Sequence, residues 1–377
     1  MDTEKTPMKI LIVHVPAGAG HQRAAEALAA SLHERHSSAE IIVWDALMGT
    51  NAFYRWSFTK GYLRLIHQAP FLWGLAYHLT DIKTFSGIVG WIHRISNQLH
   101  GNYFEKYLME TNPDAVIGTH FFPMEVAGRL KSEGRIRARL VTVVTDYMPH
   151  ALWTAPCIDA YVVASPQAKE ELIARRVPAE KIHLLGIPVD PKFQSNGNRP
   201  ELTQRLGLDQ NKFTILIGSG GAGTGPIISL VNSLATLSDS LQLLIVVGKN
   251  DGLFRKLESL RPSVKHMMRI YGFVNNMDEL MGVSDLVISK AGGLTCTEAL
   301  VKGVPLVLVA PIPGQETRNA EIMTQMGTAL WAKSVTEIPR IIQQLRNDPE
   351  ILLKMRQKTL EHGLPHAAEQ ITKLVIP

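Results

Sequence analysis

The stretch from Ser284 to Asn319 reads SDLVISKAGGLTCTEALVKGVPLVLVAPIPGQETRN, and it decides the fold. It begins with a short apolar run, Asp285 to Ser289, of the kind found in a strand buried on both faces. A turn of small residues follows, and Leu294 to Lys302 then has the spacing of a helix. Gly303 ends that helix, and Leu306 to Val309 forms the next strand. The stretch therefore predicts a strand, glycine turn, helix and strand within an α/β sheet.

The start of this predicted helix suits a phosphate group. Its first backbone N–H groups lack acceptors within the helix and carry a partial positive charge. Gly292 and Gly293 have no side chains, so an anion can come close to the backbone. One turn on, the Glu298 carboxylate could accept two hydrogen bonds from a ribose. Gln315 and Glu316 are expected on a loop at the next strand's carboxyl end, where open α/β sheets bind ligands.

Phosphate, ribose and further hydroxyl groups together describe a nucleotide-sugar. The glycines alone fit an ordinary βαβ unit equally well, because a short glycine pair is a weak signal. A second glycine-rich loop, Gly218 to Gly225 (GSGGAGTG), is interpreted as another anion-facing loop. It is not a Walker A motif, since no Gly-Lys-Ser/Thr follows. The sequence also contains no DxD motif and no His/Asp cluster with ligand spacing, so no metal is predicted.

The composition is that of a globular protein. The chain has 377 residues, which favours two domains, and 45% of them are hydrophobic. No apolar run is long enough for a membrane span, and the polar start of the chain predicts no signal sequence. Cys157 and Cys296 form no disulfide framework, which favours a reducing cytosol, and Cys296 is interpreted as a packing residue. The net charge of +5 allows an anionic membrane surface or a nucleic acid as partner, but no nucleic-acid-binding motif is present.

Strands and helices alternate in two series on either side of a linker. The opening series runs through a strand at Met8 to Val15, a helix at Gln22 to His36 and a strand at Glu40 to Trp44. The polar segment Asp190 to Pro200 is the predicted linker, and a second series starts at Phe213. We therefore expect two domains, residues 1–195 and 196–377. Further strands are predicted at Asp114 to Gly118, Leu140 to Thr145, Ala160 to Ala164, Ile182 to Leu185, Phe213 to Ile217, Gln242 to Val247 and Ile270 to Gly272.

His21 is a candidate general base. It follows Gly18 and Gly20 in the turn PAGAGH after the first strand, at the start of a helix. A histidine that titrates near neutrality suits the removal of a proton from an attacking hydroxyl, and a helix N-terminus disfavours the protonated ring. His120 and Asp146 are rival candidates, because each lies in a predicted polar turn just beyond a strand end, Thr119 to Pro123 and Asp146-Tyr147. Asp146 fits the role of a turn cap equally well.

The segment from Asn51 to His100 departs from the alternation. It is rich in aromatic and cationic residues, and Asp81 is its only acid. An apolar face with basic flanks suits a helix that lies on a bilayer. The alternatives are a helical pair packed on the sheet and a cover over an acceptor cleft. The residues concerned are Phe53, Tyr54, Trp56, Phe58, Lys60, Tyr62, Arg64, Phe71, Trp73, Tyr77, Trp91 and Arg94.

Several of these elements, in this order and spacing, resemble glycosyltransferase family 28. They are GAGHQRAAEAL after the first strand, Thr145-Asp146, SKAGGLTCTEAL, GVPLVLVAPIPGQE and Asn319-Ala320. The similarity is to the branch of the monogalactosyldiacylglycerol synthases and processive diacylglycerol glucosyltransferases. It spans Met8 to Asn319 and is weakest between residues 51 and 100.

The resemblance implies a GT-B fold, with two Rossmann-like, doubly wound domains facing across a cleft. The first would bind the acceptor and the membrane, the second would bind a UDP-sugar, and the last helix would pack back on the first. His21 and Asp146 would be the catalytic residues, and the donor would need no additional cofactor. The implied donor-binding residues are Gly20, Gly220, Gly221, Gly272, Phe273, Val274, Ala291, Gly292, Gly293, Leu294, Thr295, Glu298, Gln315 and Glu316.

The implied function is that of a membrane-associated, inverting glycosyltransferase. It would move a hexose, glucose in the first place, from a UDP-sugar to the 3-hydroxyl of 1,2-diacylglycerol at the cytoplasmic face of the membrane. A galactose donor, a lipid II-type N-acetylglucosaminyltransferase, a UDP-N-acetylglucosamine 2-epimerase and a non-catalytic sensor of nucleotide-sugars are the alternatives. The epimerase gives no reason for the aromatic and basic segment. The oligomeric state stays open.

Overall fold

The structure is a computed structural model that describes residues 7–48, 50–81, 102–195, 197–221 and 223–376. Part of the predicted membrane-binding segment, with Trp91 and Arg94, lies outside the described residues. So do the side chains of Phe53, Phe58, Lys60 and Tyr62, the polar start of the chain before Pro7, and Ala222 of the second glycine-rich loop.

The chain divides into two compact units. The first comprises Met1–Asp190, Pro313–Gln315 and His366–Pro377, and the second comprises Pro191–Ile312 and Glu316–Pro365. The division after Asp190 falls inside the segment predicted as the linker, five residues before the predicted boundary. The C-terminal helix Ala367–Thr372 is grouped with the first unit, where it packs against the helix Gly20–Arg35.

The first unit contains a six-stranded sheet in which every neighbouring pair is parallel, in the order β2-β1-β3-β4-β5-β6. Apart from Lys9 and Arg139, which begin β1 and β4, its central strands are buried, as their continuous apolar runs predict. The strands are β1 (Lys9–His14), β2 (Glu40–Asp45), β3 (Ala115–Gly118), β4 (Arg139–Val143), β5 (Ala160–Val163) and β6 (Ile182–Leu184). The α-helices described are Gly20–Arg35, Ala52–Trp56, Tyr62–Gln68, Pro70–Asp81, Asn102–Thr111, Phe121–Ser132, Pro166–Ala174 and Ala367–Thr372, with a π-helical turn at Ser57–Gly61.

The second unit repeats this plan with the strand order β12-β11-β10-β7-β8-β9, again parallel throughout. The opening stretch supplies its β10 and β11. The strands are β7 (Thr214–Gly218), β8 (Gln242–Val246), β9 (Met267–Tyr271), β10 (Leu286–Ser289), β11 (Leu306–Val309) and β12 (Ala329–Ala332). The α-helices are Arg199–Arg205, Ile227–Leu234, Asp251–Leu260, Met277–Gly282, Gly293–Lys302, Gln315–Gln325, Ile338–Asn347 and Pro349–His362.

Two local predictions were wrong. Phe121 to Pro123, interpreted as part of a turn, begin the helix Phe121–Ser132, because the His120 side chain accepts the Phe122 N–H and caps the first turn. Gln315 and Glu316, expected on a loop, begin the helix Gln315–Gln325. Each segment contains a proline, Pro123 and Pro313, and proline is found at helix starts as well as in turns.

Among the residues described, no helix combines the length and the apolar character that crossing a bilayer requires.

Candidate functional site

In a parallel sheet the carboxyl ends of all strands lie at one edge, and both predicted halves of the site are at such edges. In the first unit, Thr119 and His120 follow β3, and Thr145 and Asp146 follow β4. β3 and β4 are neighbours, so the register of the sheet sets the distance between these two pairs. His21 reaches the same edge from the first turn of the helix Gly20–Arg35.

The contacts of His21 determine its tautomer. Its Nδ1 lies 2.7 Å from the carbonyl oxygen of Thr119 and 2.9 Å from Oγ1 of Thr145. A carbonyl oxygen only accepts, so Nδ1 of the neutral ring carries the proton and donates it there. Nε2 therefore carries the lone pair. This is the form that a general base requires.

Burial keeps the His21 ring neutral. Desolvation lowers its pKa to about 4, against a smaller opposing effect of the Thr119 carbonyl, and a positive charge on His14 would lower it further. His120 lies against it edge to face, with ring centroids 4.8 Å apart. Desolvation also lowers the pKa values of His120 and His14. At neutral pH this edge of the sheet is a cluster of uncharged imidazoles.

His120 has the opposite tautomer from His21. Its Nδ1 accepts the N–H of Phe122 at 3.2 Å, so the proton of the neutral ring is on Nε2. A histidine with its Nδ1 lone pair engaged as a helix cap and a proton on Nε2 suits hydrogen-bond donation better than proton abstraction. This observation favours His21 over its rival as the base.

Asp146 directly follows Thr145 and is half-buried. The His21 ring is hydrogen-bonded to Thr119 and Thr145. A catalytic role for Asp146 stays a prediction.

The second unit places the predicted phosphate turn directly after β10. Gly292 is the N-cap of the helix Gly293–Lys302 and no side chain caps that end. The first hydrogen bond of the helical ladder runs from Cys296 N to Gly292 O at 3.0 Å, so the amides of Gly293, Leu294 and Thr295 precede it. A Cβ built on Gly292 would meet nothing within 4 Å. The helix start is therefore open to an approaching anion.

Buried polar groups hold this turn. Asn319 is fully buried, and its Nδ2 donates to the carbonyl oxygen of Ala291 at 3.0 Å. Glu298 is buried in the second turn of the helix. The Asn319-Ala320 element of the sequence thus stabilises the turn through Asn319. This contact fixes the direction of the backbone amides.

The Glu316 carboxylate contacts two neighbouring groups of the protein. One carboxylate oxygen accepts the Ile312 N–H at 2.8 Å and the other lies 3.7 Å from Nζ of Lys290. Sequence reasoning treated Lys290 only as part of a turn. A cation directly after a buried strand and before a glycine pair was the signal that could have identified it.

The loop after β7 packs tightly against the residues that follow β8. A Cβ on Gly223, where φ is +66°, would lie 2.3 Å from Val247 O and 2.4 Å from Cβ of Asn250, so only glycine fits. Asn250 Nδ2 also donates to Gly223 O at 2.8 Å. Gly220 and Gly221, by contrast, are exposed, and a Cβ on Gly220 would meet nothing within 4 Å. The loop is therefore tightly packed at Gly223 and exposed at Gly220 and Gly221.

The segment Gly272-Phe273-Val274 follows β9 at the same edge. The Phe273 side chain is 50% exposed, and Nζ of Lys249 lies 5.7 Å from its ring centroid. An exposed aromatic ring at a strand end is suited to stacking on a nucleobase. The structure thus places every predicted donor-binding residue from Gly220 to Glu298 at one edge of one sheet. Gly20 is in the first unit, as the first residue of the His21 helix.

Among the described residues, no group of three or more His, Cys, Asp or Glu side chains could hold a metal ion.

Two family models match the chain, one in its N-terminal half and one in its C-terminal half. The model described as "Monogalactosyldiacylglycerol (MGDG) synthase" matches residues 21–189. The model described as "Glycosyltransferase family 28 C-terminal domain" matches residues 214–371. Together the two matches contain all the predicted site residues except Gly20, which lies just before the first match.

A full-length relative and solved structures agree with these matches. A "Processive diacylglycerol beta-glucosyltransferase" of Bacillus cereus is 30% identical over 370 residues, covering 98% of this chain and 93% of the relative. MurG of Acinetobacter baumannii has a TM-score of 0.65 at 17% identity, covering 98% of this chain and 99% of that one. Anabaena Alr3699/HepE in complex with UDP has a TM-score of 0.58 at 16% identity, covering 97% and 99%. The two structures confirm the predicted GT-B fold class.

Proposed function

The chain belongs to glycosyltransferase family 28, in the branch of the diacylglycerol glycosyltransferases, and from that premise we propose that it transfers glucose from UDP-glucose to the 3-hydroxyl of 1,2-diacylglycerol. The observation that carries the reaction type is the His21 ring, which presents an unprotonated Nε2 at a sheet edge. The choice of glucose and diacylglycerol is supported by the name of the Bacillus cereus relative.

The proposed reaction inverts the anomeric carbon. The acceptor oxygen forms a bond to C1 of the sugar while its proton passes to Nε2 of His21. The bond between C1 and the phosphate oxygen breaks, and UDP leaves with the electron pair. Amides at the start of the Gly293–Lys302 helix would stabilise the charge that develops on the diphosphate, with the donor as the only cosubstrate and without a metal or further cofactor.

A donor panel tests this proposal. The protein is incubated with UDP-glucose, UDP-galactose or UDP-N-acetylglucosamine over diacylglycerol micelles, and glycolipid and UDP are measured. We expect a β-glucosyl lipid from UDP-glucose, with the anomeric configuration read by NMR. Absence of both products with all three donors contradicts glycosyl transfer. Isomerisation of a UDP-sugar without acceptor would favour the epimerase, and binding without turnover would favour the sensor.

A galactose donor is the second candidate. The family model that matches residues 21–189 carries the name of monogalactosyldiacylglycerol synthase. Faster turnover with UDP-galactose than with UDP-glucose in the same panel would support it. A preference for UDP-N-acetylglucosamine would instead support the lipid II type.

The helix Pro70–Asp81 supports contact with a membrane. Its side chains at positions 71, 75 and 79 recur every four residues, and position 72 lies three residues before 75, so the four form one apolar stripe. They are exposed to solvent: Phe71 by 78%, Leu72 by 58%, Leu75 by 47% and Leu79 by 42%. An exposed apolar stripe of this kind suits the interfacial region of a bilayer. We place the enzyme peripherally on the cytoplasmic face of an anionic membrane.

Vesicle sedimentation tests the membrane contact. The double variant Phe71→Glu/Leu75→Glu should lose most binding to vesicles that contain phosphatidylglycerol. Leu353→Glu is the matched control, since Leu353 is 49% exposed on the helix Pro349–His362 of the second unit. Equal binding of the double variant and the wild type would contradict the assigned surface.

A further inference from the structure

The orientation of His21 depends on two threonines at the ends of neighbouring strands. Thr119 follows β3 and Thr145 follows β4, and both are buried. Their oxygens lie 2.7 Å and 2.9 Å from Nδ1, and both partners are uncharged. A carboxylate at this position would attract the protonated ring, whereas a carbonyl and a hydroxyl fix its orientation without adding a charge.

Thr119 holds His21 at two points. Its backbone carbonyl accepts from the ring, and its hydroxyl donates to the backbone oxygen of His21 at 2.9 Å. A weaker contact joins the same hydroxyl to the Val13 oxygen at 3.5 Å, at the end of β1. Because a β-branched side chain has few rotamers, this arrangement fixes the first turn of the helix against the sheet.

Thr145 holds the ring from the other strand. Nδ1–H is directed at the Thr119 carbonyl, so the Thr145 hydroxyl oxygen is a second acceptor for the same proton. The two acceptors are therefore fixed by the pairing of β3 with β4, in which Gly118 lies opposite Thr142. The ring can rotate away only by losing both contacts.

We propose that Thr145, together with Thr119, is a positioning residue for the general base, holding His21 as the Nδ1–H tautomer with Nε2 directed to the acceptor hydroxyl. The inference rests on the proposed function, since it assigns to His21 the role of the base. It adds that the dyad partner of this base is a neutral threonine.

The first test compares variants of Thr145 in the intact enzyme. Thr145→Val keeps the shape and removes the acceptor, so kcat should fall about tenfold, the value of one hydrogen bond, with KM for UDP-glucose unchanged. Thr145→Ser should restore most of the loss. A purely structural role would lower the melting temperature of the Val variant without this selective effect on kcat.

The second test measures the tautomer directly in the wild type. Nitrogen NMR of protein labelled at histidine should show His21 protonated at Nδ1 and unprotonated at Nε2 at neutral pH. Thr145→Val should keep this tautomer, because the Thr119 carbonyl still accepts from Nδ1, but should shift the Nδ1–H resonance, because one of its two acceptors is lost. The opposite tautomer in the wild type would overturn the inference, and this measurement does not depend on any variant folding.

The third test uses charge. Thr145→Asp places an anion beside the ring, which should raise the pKa of His21 and move the acid limb of the kcat/KM profile upward by about 1 in pH. His14 and His120 also face this ring and titrate below their ordinary range, so the same profile is recorded for His14→Asn and His120→Asn. If Thr145→Asp left the acid limb of the kcat/KM profile unchanged, the contact between Thr145 and the His21 ring would be overturned.

Failure of the inference and failure of the proposed function give different results. Full activity of Thr145→Val in an enzyme that His21→Ala inactivates would overturn the positioning role alone. Full activity of His21→Ala would overturn the base itself and the inference with it.

Discussion

The carboxyl edges of the two sheets differ in chemistry, although each sheet has six strands that are parallel throughout. The edge of the first carries imidazoles and hydroxyls, with His21 and His120 in contact and uncharged at neutral pH. The edge of the second carries glycines, the uncapped start of the Gly293–Lys302 helix and Lys290. One edge is suited to moving a proton and the other to holding an anion. The same parallel topology thus supplies two different functions through its loops.

Removing the imidazole should have the largest effect. We expect His21→Ala to lower kcat by a factor of about a hundred to ten thousand, because the acceptor hydroxyl loses its base. The dissociation constant for UDP, measured by calorimetry, should stay unchanged. His33→Ala, an exposed histidine on the same helix, is the control and should behave as the wild type. Loss of UDP binding in His21→Ala would contradict the separation of roles.

A charge at the anion-binding edge should have the next largest effect. Gly292 has φ −68° and ψ 132°, and a side chain there meets nothing within 4 Å. Gly292→Asp should therefore cap the helix and leave the melting temperature equal or higher. The same carboxylate should repel the diphosphate and weaken UDP binding at least about tenfold, about 1.4 kcal/mol. Gly292→Ala is the size control.

If Gly292→Asp kept or raised the melting temperature while it weakened UDP binding, the helix start would be shown to bind the anion. If the variant weakened neither UDP binding nor turnover, the diphosphate would have to bind elsewhere. The anion-binding half of the comparison would then fail.

The pH profile should show a smaller effect. The pKa of His21 is lowered to about 4, and only the neutral ring accepts a proton, so the base is active above that pH and inactive below it. We expect the acid limb of kcat/KM to lie near pH 4, with little change from pH 8 to pH 5.5. A limb near pH 6.5 would show that the ring is solvated as in a free peptide.

The stability of the fold should depend on pH in the same direction as the activity. The folded state disfavours protonation of His14, His21 and His120, while the unfolded chain binds protons as the pH falls through 6.5. Their contribution to stability is full above that pH and is lost progressively below it. The melting temperature should therefore fall between pH 7 and pH 5.

The parts that sequence predicted best are those with a strong local signal. The apolar run before Lys290 and the glycine pair after it could be interpreted as a strand and a turn that leads into a helix, because each depends on adjacent residues. His21 was placed at the start of its helix for the same reason. The positions of β10 and β11 agree with the structure to within one residue.

Contacts between distant segments could not be predicted in this way. Thr119 and Thr145 are ordinary strand-end residues in the sequence, and only the pairing of β3 with β4 places both beside His21. Glu316 is a predicted donor-binding residue, which stays a prediction. Its carboxylate accepts the Ile312 N–H and lies beside Lys290, and neither contact has a local pattern in the sequence.

The smallest effect is expected at Cys296, within the anion-binding helix. Its side chain is fully buried, and burial raises the pKa of the thiol above its ordinary value, so it should not act as a nucleophile. Cys296→Ala should cost about 1 kcal/mol of stability, from the lost packing, and leave UDP affinity and kcat within about twofold of the wild type. A thiol reagent should label the exposed Cys157 quickly and Cys296 only on unfolding. Rapid labelling of Cys296, blocked by UDP, would instead show that its sulfur reaches the diphosphate site, and the second edge would then contain a reactive side chain as the first does.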